Sequence, residues 1–238
     1  MESNIEAIPE NVGLIPDGNR RWAKTHKMDL LRGYDAGINK FLDFSLWLRD
    51  FGAKTLTVWA LSTENIKNRK KNELNALYKL YIKTTKDKRA LGIIRDNKVK
   101  IRVIGNMNLL PDKVRNALKG LEHDTRNNKG FKINLLIGYG GRDDIIYAFK
   151  KFYAHAMKIG RRIAVNEDVL RSSLRTYAVP DPDLVIRTSG EMRLSGFLPW
   201  QTAYSELYFA EKYWPEFQID DLKKALTEFQ KRKRRYGK

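Results

Sequence analysis

Short apolar or β-branched runs recur along the chain at 11–15, 55–60, 99–104, 131–137, 184–186 and 206–209. Most are continuously hydrophobic, as expected for strands covered on both faces. Helical periodicities lie between them. Ile38, Phe41, Leu42, Ser45 and Leu48 share a face that Gly52 closes, and Leu74, Leu77, Tyr78 and Tyr81 begin a helix expected to run to about Asp96. Val114, Ala117, Leu118 and Leu121 follow Pro111, a good first-turn residue. Ile145, Ala148, Phe149, Phe152 and Ala156 form the clearest stripe, and Leu222, Ala225, Leu226 and Phe229 the last. Core packing is the expectation for every stripe. The polar stretch 68–72 is expected to be a mobile loop. Strands alternating with helices predict an α/β fold: a single domain over residues 1–238 with a mostly parallel central sheet of about six strands flanked by helices.

Composition changes this picture in one respect. The 238 residues suffice for a sizeable core, and 42% hydrophobic content is ordinary. Charge is not: 46 Lys and Arg against 28 Asp and Glu leave +18. Such a field attracts nucleic acid, acidic lipid or phosphorylated small molecules without choosing among them. The basic run Lys231-Arg232-Lys233-Arg234-Arg235 fits a solvated helix end. The chain has no cysteine, which excludes disulfides and thiolate metal sites and fits a cytoplasmic protein. Neither a signal peptide nor a membrane-spanning run is evident. His26, His123 and His155 lack metal-ligand spacing.

The residues after each strand carry the candidate chemistry, because ligands in open α/β sheets bind beyond the strands' carboxyl ends. After the first come Pro16-Asp17-Gly18-Asn19-Arg20-Arg21-Trp22; after the second, Ser62-Thr63-Glu64-Asn65. After the fourth comes Gly138-Tyr139-Gly140-Gly141-Arg142-Asp143; after the fifth, Arg187-Thr188-Ser189-Gly190-Glu191 with Arg193 and Ser195. All four are expected to meet on one rim. Asp17 suits a divalent cation, Gly18 lets backbone approach a ligand, and free amides with Arg20 and Arg21 suit polyphosphate. A dinucleotide fingerprint fails, because Asp143 stands at the third glycine position. No phosphate loop and no nucleophile elbow occurs. A cationic rim with few bases fits electrophilic substitution with diphosphate as leaving group, Mg²⁺ acting as Lewis acid.

These segments resemble the cis-prenyltransferases, the undecaprenyl diphosphate synthase family, over nearly the whole chain. The likeness is carried by 15–23, 60–65, 139–142 and, most specifically, 183–195, continuing through Phe197-Leu198-Pro199-Trp200-Gln201 to 203–209. It implies a homodimeric, Mg²⁺-dependent enzyme that elongates an allylic diphosphate with isopentenyl diphosphate, creating cis double bonds. By the matching positions, Asp17 and Asn65 are catalytic, Asp17 serving Mg²⁺ and Asn65 standing beside the reacting carbons with Ser62 and Glu64 nearby. Gly18, Asn19, Arg20, Arg21 and Trp22 bind the allylic diphosphate, and Arg187, Arg193 and Ser195 the isopentenyl diphosphate. Glu206 matches a second metal carboxylate, structural or donated across the dimer. Arg235-Tyr236-Gly237 resembles an element that reaches the partner's site.

The chain also departs from that pattern. Leu30 and Tyr34 stand where the family usually has an arginine and a histidine that help hold the allylic diphosphate, although Arg32 lies near. Ile66 replaces an aromatic residue, Met192 a histidine, and one inserted residue shifts the segment from Arg69 to Glu73. A weakened donor pocket makes non-head-to-tail coupling of two prenyl diphosphates the alternative to cis elongation. The product needs an apolar tunnel, with Phe41, Leu42, Phe44, Ser45 and Leu48 and Leu77, Tyr78, Tyr81 and Ile82 as walls, and small Ala60 leaving it open. Each buried isoprenoid unit would contribute roughly 3–4 kcal/mol, at about 0.8 per carbon group. A lipid product adds the expectation of peripheral membrane contact. Two rival classes are a nucleic-acid-binding domain, for which no RNA-reading signature is present, and a non-catalytic partner subunit, which the presence of Asp17 argues against.

Overall fold

The computed structural model describes residues 7–160 and 164–232. Its six strands are β1 (Asn11–Ile15), β2 (Thr55–Ser62), β3 (Lys100–Ile104), β4 (Lys132–Tyr139), β5 (Leu184–Arg187) and β6 (Glu206–Phe209). They form one sheet in the order β3-β4-β2-β1-β5-β6, and every neighbouring pair is parallel. Parallel pairing explains the continuous apolar runs, since helices cover both faces. Val12 and Leu14 of β1 join one core with Leu56, Val58, Leu184 and Ile186, whereas Ile15 and Val185 join another with Phe197 and Leu198. The strand's period of two assigns those sides.

The helices are α1 (Asn19–Thr25), α2 (Leu30–Asp50), α3 (Thr63–Asn68), α4 (Lys71–Thr84), α5 (Lys88–Asp96), α6 (Asp112–Thr125), α7 (Gly141–Ile159), α8 (Glu167–Ser173) and α9 (Ile219–Lys231). Helix α2 starts earlier than its apolar stripe, because Asp29 caps it and accepts from the Arg32 backbone N–H at 2.8 Å. Phe44 and Leu48 of α2 pack with Trp214, Phe217, Leu222 and Leu226 in the main core. A further core joins α4 and α6 to the sheet through Leu74, Leu77, Leu80, Val114, Leu118, Leu61 and Ile137.

Three expectations are corrected. The helix expected to run from Leu74 to Asp96 is two helices: Asp87 caps α5, accepting from Ala90 N at 2.9 Å, just after the β-branched Thr84-Thr85 pair. The expected loop at 68–72 is a tight junction in which only Arg69 and Lys70 separate α3 from α4. The stripe on α7 is not core: Ala148 is buried, but Phe149 is 61% exposed, and Ile145, Ile146, Tyr153 and Met157 are exposed as well. No helix among the described residues is long and apolar enough to cross a membrane. The segments 233–235 of the basic run and Arg235-Tyr236-Gly237 lie outside the described residues.

Candidate active site

Strand order reverses between β1 and β5. Chain leaving β1 builds the sheet toward β2, whereas chain leaving β5 builds it toward β6. A crevice therefore opens at their carboxyl ends. Register places Ile15 beside Arg187, so the next residues on each strand face one another across the crevice. Asp17 Oδ2 accepts from Arg187 Nη2 at 2.8 Å, and Asp17 Oδ1 accepts from the Gly18 backbone N–H at 2.7 Å. The Thr188 hydroxyl and the Trp214 N–H both donate to the Asp17 carbonyl, at 2.7 and 3.0 Å. Asp17 is thus held by neighbours from three separate stretches of chain.

Arg187 is buried, at 5% exposure. It donates to the Ser195 hydroxyl at 2.9 Å and to the Arg193 carbonyl, while its Nε has no hydrogen-bond partner. Ser195 lines the cavity with a positive φ of 53°. Gly18 has φ 104°, and a Cβ there would lie 2.8 Å from the Tyr213 ring and 3.0 Å from Ser189, so the turn admits only glycine without strain. The first amide that α1 uses internally is that of Trp22, which donates to Gly18 O at 2.8 Å, so the amides of Asn19, Arg20 and Arg21 precede the helix's own ladder. Asn19 Nδ2 donates to Pro16 O at 3.2 Å and its Oδ1 is buried without a partner. Gly37 of α2 permits this approach, because a Cβ there would fall 2.2 Å from that oxygen.

These groups head a cavity of about 990 Å³ lined at one end by Asp17, Gly18, Asn19, Arg20, Arg21, Ser62, Glu64, Asn65, Arg187 and Ser195. Most of the remainder is apolar, from Leu30, Ile38 and Phe41 through Val58 and Ala60 to Leu77, Leu118, Leu121, Leu135 and Ile137, with Lys24, Tyr34, Arg69, Tyr81 and Thr84 the polar exceptions. Ser62 caps α3, accepting from Asn65 N at 3.0 Å, which sets Asn65 at the start of that helix facing the crevice.

Most sequence-predicted site residues meet here; some do not. The Trp22 ring lies against His26 at a 31° tilt, with centroids 4.6 Å apart, and is not part of the lining. Arg193 is exposed and ion-paired with Glu191, reaching the site through its carbonyl. Arg21 also binds Glu191, at 2.9 Å, so one carboxylate spans both cations; those contacts, Arg193 first, hold the Glu191 pKa below its usual range. The segment after β4 props the site rather than lining it: Gly141 N donates to Gly196 O at 3.0 Å, and Arg142 is exposed. Glu206 begins β6 opposite Leu184, at the amino end of the sheet and away from Asp17, with Arg232 on its carboxylate at 3.1 Å.

The tunnel walls shift by part of a turn. Tyr34, Gly37, Ile38 and Phe41 of α2 face the cavity, whereas Leu42, Phe44, Ser45 and Leu48 do not; on α4, Leu77 and Tyr81 line it and Tyr78 and Ile82 do not. Burial pushes the Tyr81 phenol up, and its hydroxyl donates to Ala60 O at 2.8 Å.

One cluster was not foreseen. Tyr34 donates to Glu73 Oε1 at 2.6 Å and accepts from Arg69 Nη1 at 3.0 Å, with Arg69 Nε 3.4 Å and Arg20 Nε 3.7 Å from the same carboxylate oxygen. Burial raises the Tyr34 pKa, so the phenol is a neutral donor. Arg69, at the junction after α3, and Glu73, in the first turn of α4, are four residues apart and meet across that junction; nothing local announces Tyr34 as the third member. The cluster puts a cation on the wall where Leu30 supplies none.

Mg²⁺, if bound here, would have Asp17 as a carboxylate ligand, although both Asp17 oxygens already accept, from Arg187 and the Gly18 amide. That ion takes one or two carboxylates and completes its shell with water and substrate phosphate. Among the described residues no group of three His, Cys, Asp or Glu side chains is arranged to hold a metal without such help.

The sequence profile described as putative undecaprenyl diphosphate synthase matches residues 15–237. Among the relatives, a tritrans,polycis-undecaprenyl-diphosphate synthase (geranylgeranyl-diphosphate specific) of Methanopyrus kandleri is 45% identical over 233 residues, covering 97% of this chain and 85% of that protein. An isoprenyl transferase of Clostridium tetani is 40% identical, covering 100% and 92%. Lavandulyl diphosphate synthase of Lavandula x intermedia, solved with dimethylallyl diphosphate, superposes with TM-score 0.91 at 32% identity, covering 97% of this chain and 98% of that one. A probable undecaprenyl diphosphate synthase of Campylobacter jejuni superposes at 0.79 with 30% identity, covering 98% and 100%. The crevice chemistry and these likenesses agree, and the chain belongs to the undecaprenyl diphosphate synthase family of cis-prenyltransferases.

Proposed function

We propose that the protein condenses an allylic prenyl diphosphate with isopentenyl diphosphate to give a cis-polyprenyl diphosphate. The observation that carries the reading is the Asp17–Arg187 pair at the head of an apolar-lined cavity. Anionic head groups meet cations at one end and hydrocarbon is buried at the other. The amides of Asn19 to Arg21, with the Arg20 and Arg21 guanidiniums, grip the donor diphosphate. Arg187 and Ser195 grip the acceptor diphosphate, with Arg193 swinging in from Glu191. The donor C1–O bond breaks and diphosphate leaves, the terminal carbon of the acceptor double bond bonds to C1, and the tertiary cation so formed loses a proton from its neighbour C2 to the released diphosphate, giving the new double bond. Asn65 orients the acceptor for that loss. Mg²⁺ held by Asp17 and the donor diphosphate would supply neutralisation of the leaving group's charge.

The reading extends to a homodimer, supported by the exposed apolar face of α7. In such a dimer Glu206 would act in the partner's site or serve only its ion pair with Arg232.

A second reading, non-head-to-tail coupling, is favoured by Leu30 and Tyr34 at the donor wall and by the likeness to lavandulyl diphosphate synthase. One incubation separates the two: purified protein with labelled isopentenyl and dimethylallyl diphosphates and Mg²⁺. Cis head-to-tail products support elongation; a branched product formed from two dimethylallyl units supports coupling; no diphosphate release refutes both.

A further inference from the structure

The corner between α1 and α2 carries an exposed apolar surface beside the cavity. Lys24, Met28 and Leu30 of this corner line the cavity, and Met28 and Leu30 are also 40% and 39% exposed, so the cavity reaches the surface here. One residue on, Leu31 is 46% exposed. It turns to a shallow groove of about 280 Å³ that it shares with Arg32, Asp35, Lys79, Leu80 and Lys83, between α2 and α4. Three exposed apolar side chains within four positions thus stand among Lys24, Lys27, Arg32, Lys79 and Lys83. The acids facing them are Asp29, which caps α2 and lies 3.7 Å from Arg32, and Asp35, 3.4 Å from Lys83. Five cations less two carboxylates leave this face at +3.

A lone exposed leucine is ordinary. Clustered exposed apolar residues with a cationic surround are the pattern of an interfacial contact with anionic lipid. Here that pattern is continuous with the mouth of an apolar cavity. We propose that the 24–32 corner, with Lys79 and Lys83, docks on an anionic bilayer and presents the cavity mouth to it. A long prenyl chain then passes between cavity and hydrocarbon without exposing its apolar surface to water. The passage of product rests on the proposed function; the docking does not, and is tested without substrate.

The test is co-sedimentation of the full chain with vesicles of phosphatidylcholine alone and of phosphatidylcholine mixed with phosphatidylglycerol. Binding is expected to the anionic vesicles only, weakening as salt rises. Each cation near the surface changes the partition constant about fivefold, about 1 kcal/mol. Lys79→Gln with Leu31→Glu is therefore expected to lower it by about tenfold or more. Neither residue lines the cavity, so turnover of a short, soluble donor serves as the folding control. Equal affinity for neutral and anionic vesicles, no binding to either, or unchanged binding by the folded double variant overturns the docking. Vesicle binding by a protein that releases no diphosphate refutes the catalytic reading alone.

Discussion

Asp17 anchors the site at the residue scale, and its setting makes two effects separable. Asp17→Ala is expected to lower kcat by about 10²–10³, the range seen when one preorganised charge-stabilising group is lost. It also leaves the buried Arg187 with only Ser195 and the Arg193 carbonyl, so a lower thermal midpoint is expected as well. Circular dichroism at the assay temperature separates the two, and wild-type turnover in the folded variant rejects the assignment. Arg187→Ala and Arg193→Ala are expected to raise KM for isopentenyl diphosphate by about tenfold or more, as charge-assisted hydrogen bonds contribute about 1.5–3 kcal/mol. Only Arg187→Ala is expected to lower the thermal midpoint, because Arg193 is exposed. Unchanged KM in both counts against the acceptor site. Motif residues such as Asp17, Gly18 and Arg187 were legible in the sequence because strand ends and turn residues mark them. Tyr34 was legible only as a departure; its bond to Glu73 spans 39 positions, beyond any local pattern.

At the scale of elements, periodicity located the helices but not which side of each faces the cavity. Phe41 and Phe44 both belong to the expected tunnel wall, yet Phe41 lines the cavity and Phe44 is fully buried against Trp214 and Phe217. Phe44→Ala is expected to destabilise by about 3–5 kcal/mol and lower the melting temperature by about 10 °C, leaving product length unchanged. Phe41→Ala is expected to cost less stability and to alter the product's chain length, read by mass spectrometry of the reaction products. The same shift in both variants would show that the two faces are not distinct. The break between α4 and α5 follows similar logic: an apolar stripe continues through the region, but the Asp87 side chain takes the Ala90 amide and starts a new helix.

The whole molecule presents one surface, on α7, that the apolar stripe alone did not separate from core. On α7, Ile146, Phe149, Tyr153 and Met157 are exposed along one side of the helix. If that side buries against a second copy, Phe149→Glu with Tyr153→Glu converts a dimer to a monomer, measured by light scattering at micromolar concentration. A dimer of wild-type mass in the double variant assigns the interface elsewhere. The net charge of +18 gives the whole chain a long-range field that draws anions toward it. Lower ionic strength is therefore expected to speed substrate capture, seen as a rise in kcat/KM that fades as screening shortens the field's reach.

Sequence alone determined the parallel α/β architecture, the strand positions and the cationic loops at the strand ends. These follow from local chemistry: apolar runs, turn residues and caps act within a few positions of themselves. Tertiary structure decided which loops converge, which helix faces line the cavity, and that Glu206 lies at the far end of the sheet from Asp17. Those facts depend on strand order and register, which bring residues some 170 positions apart within a hydrogen bond, as Asp17 and Arg187 are, and no local pattern encodes that distance.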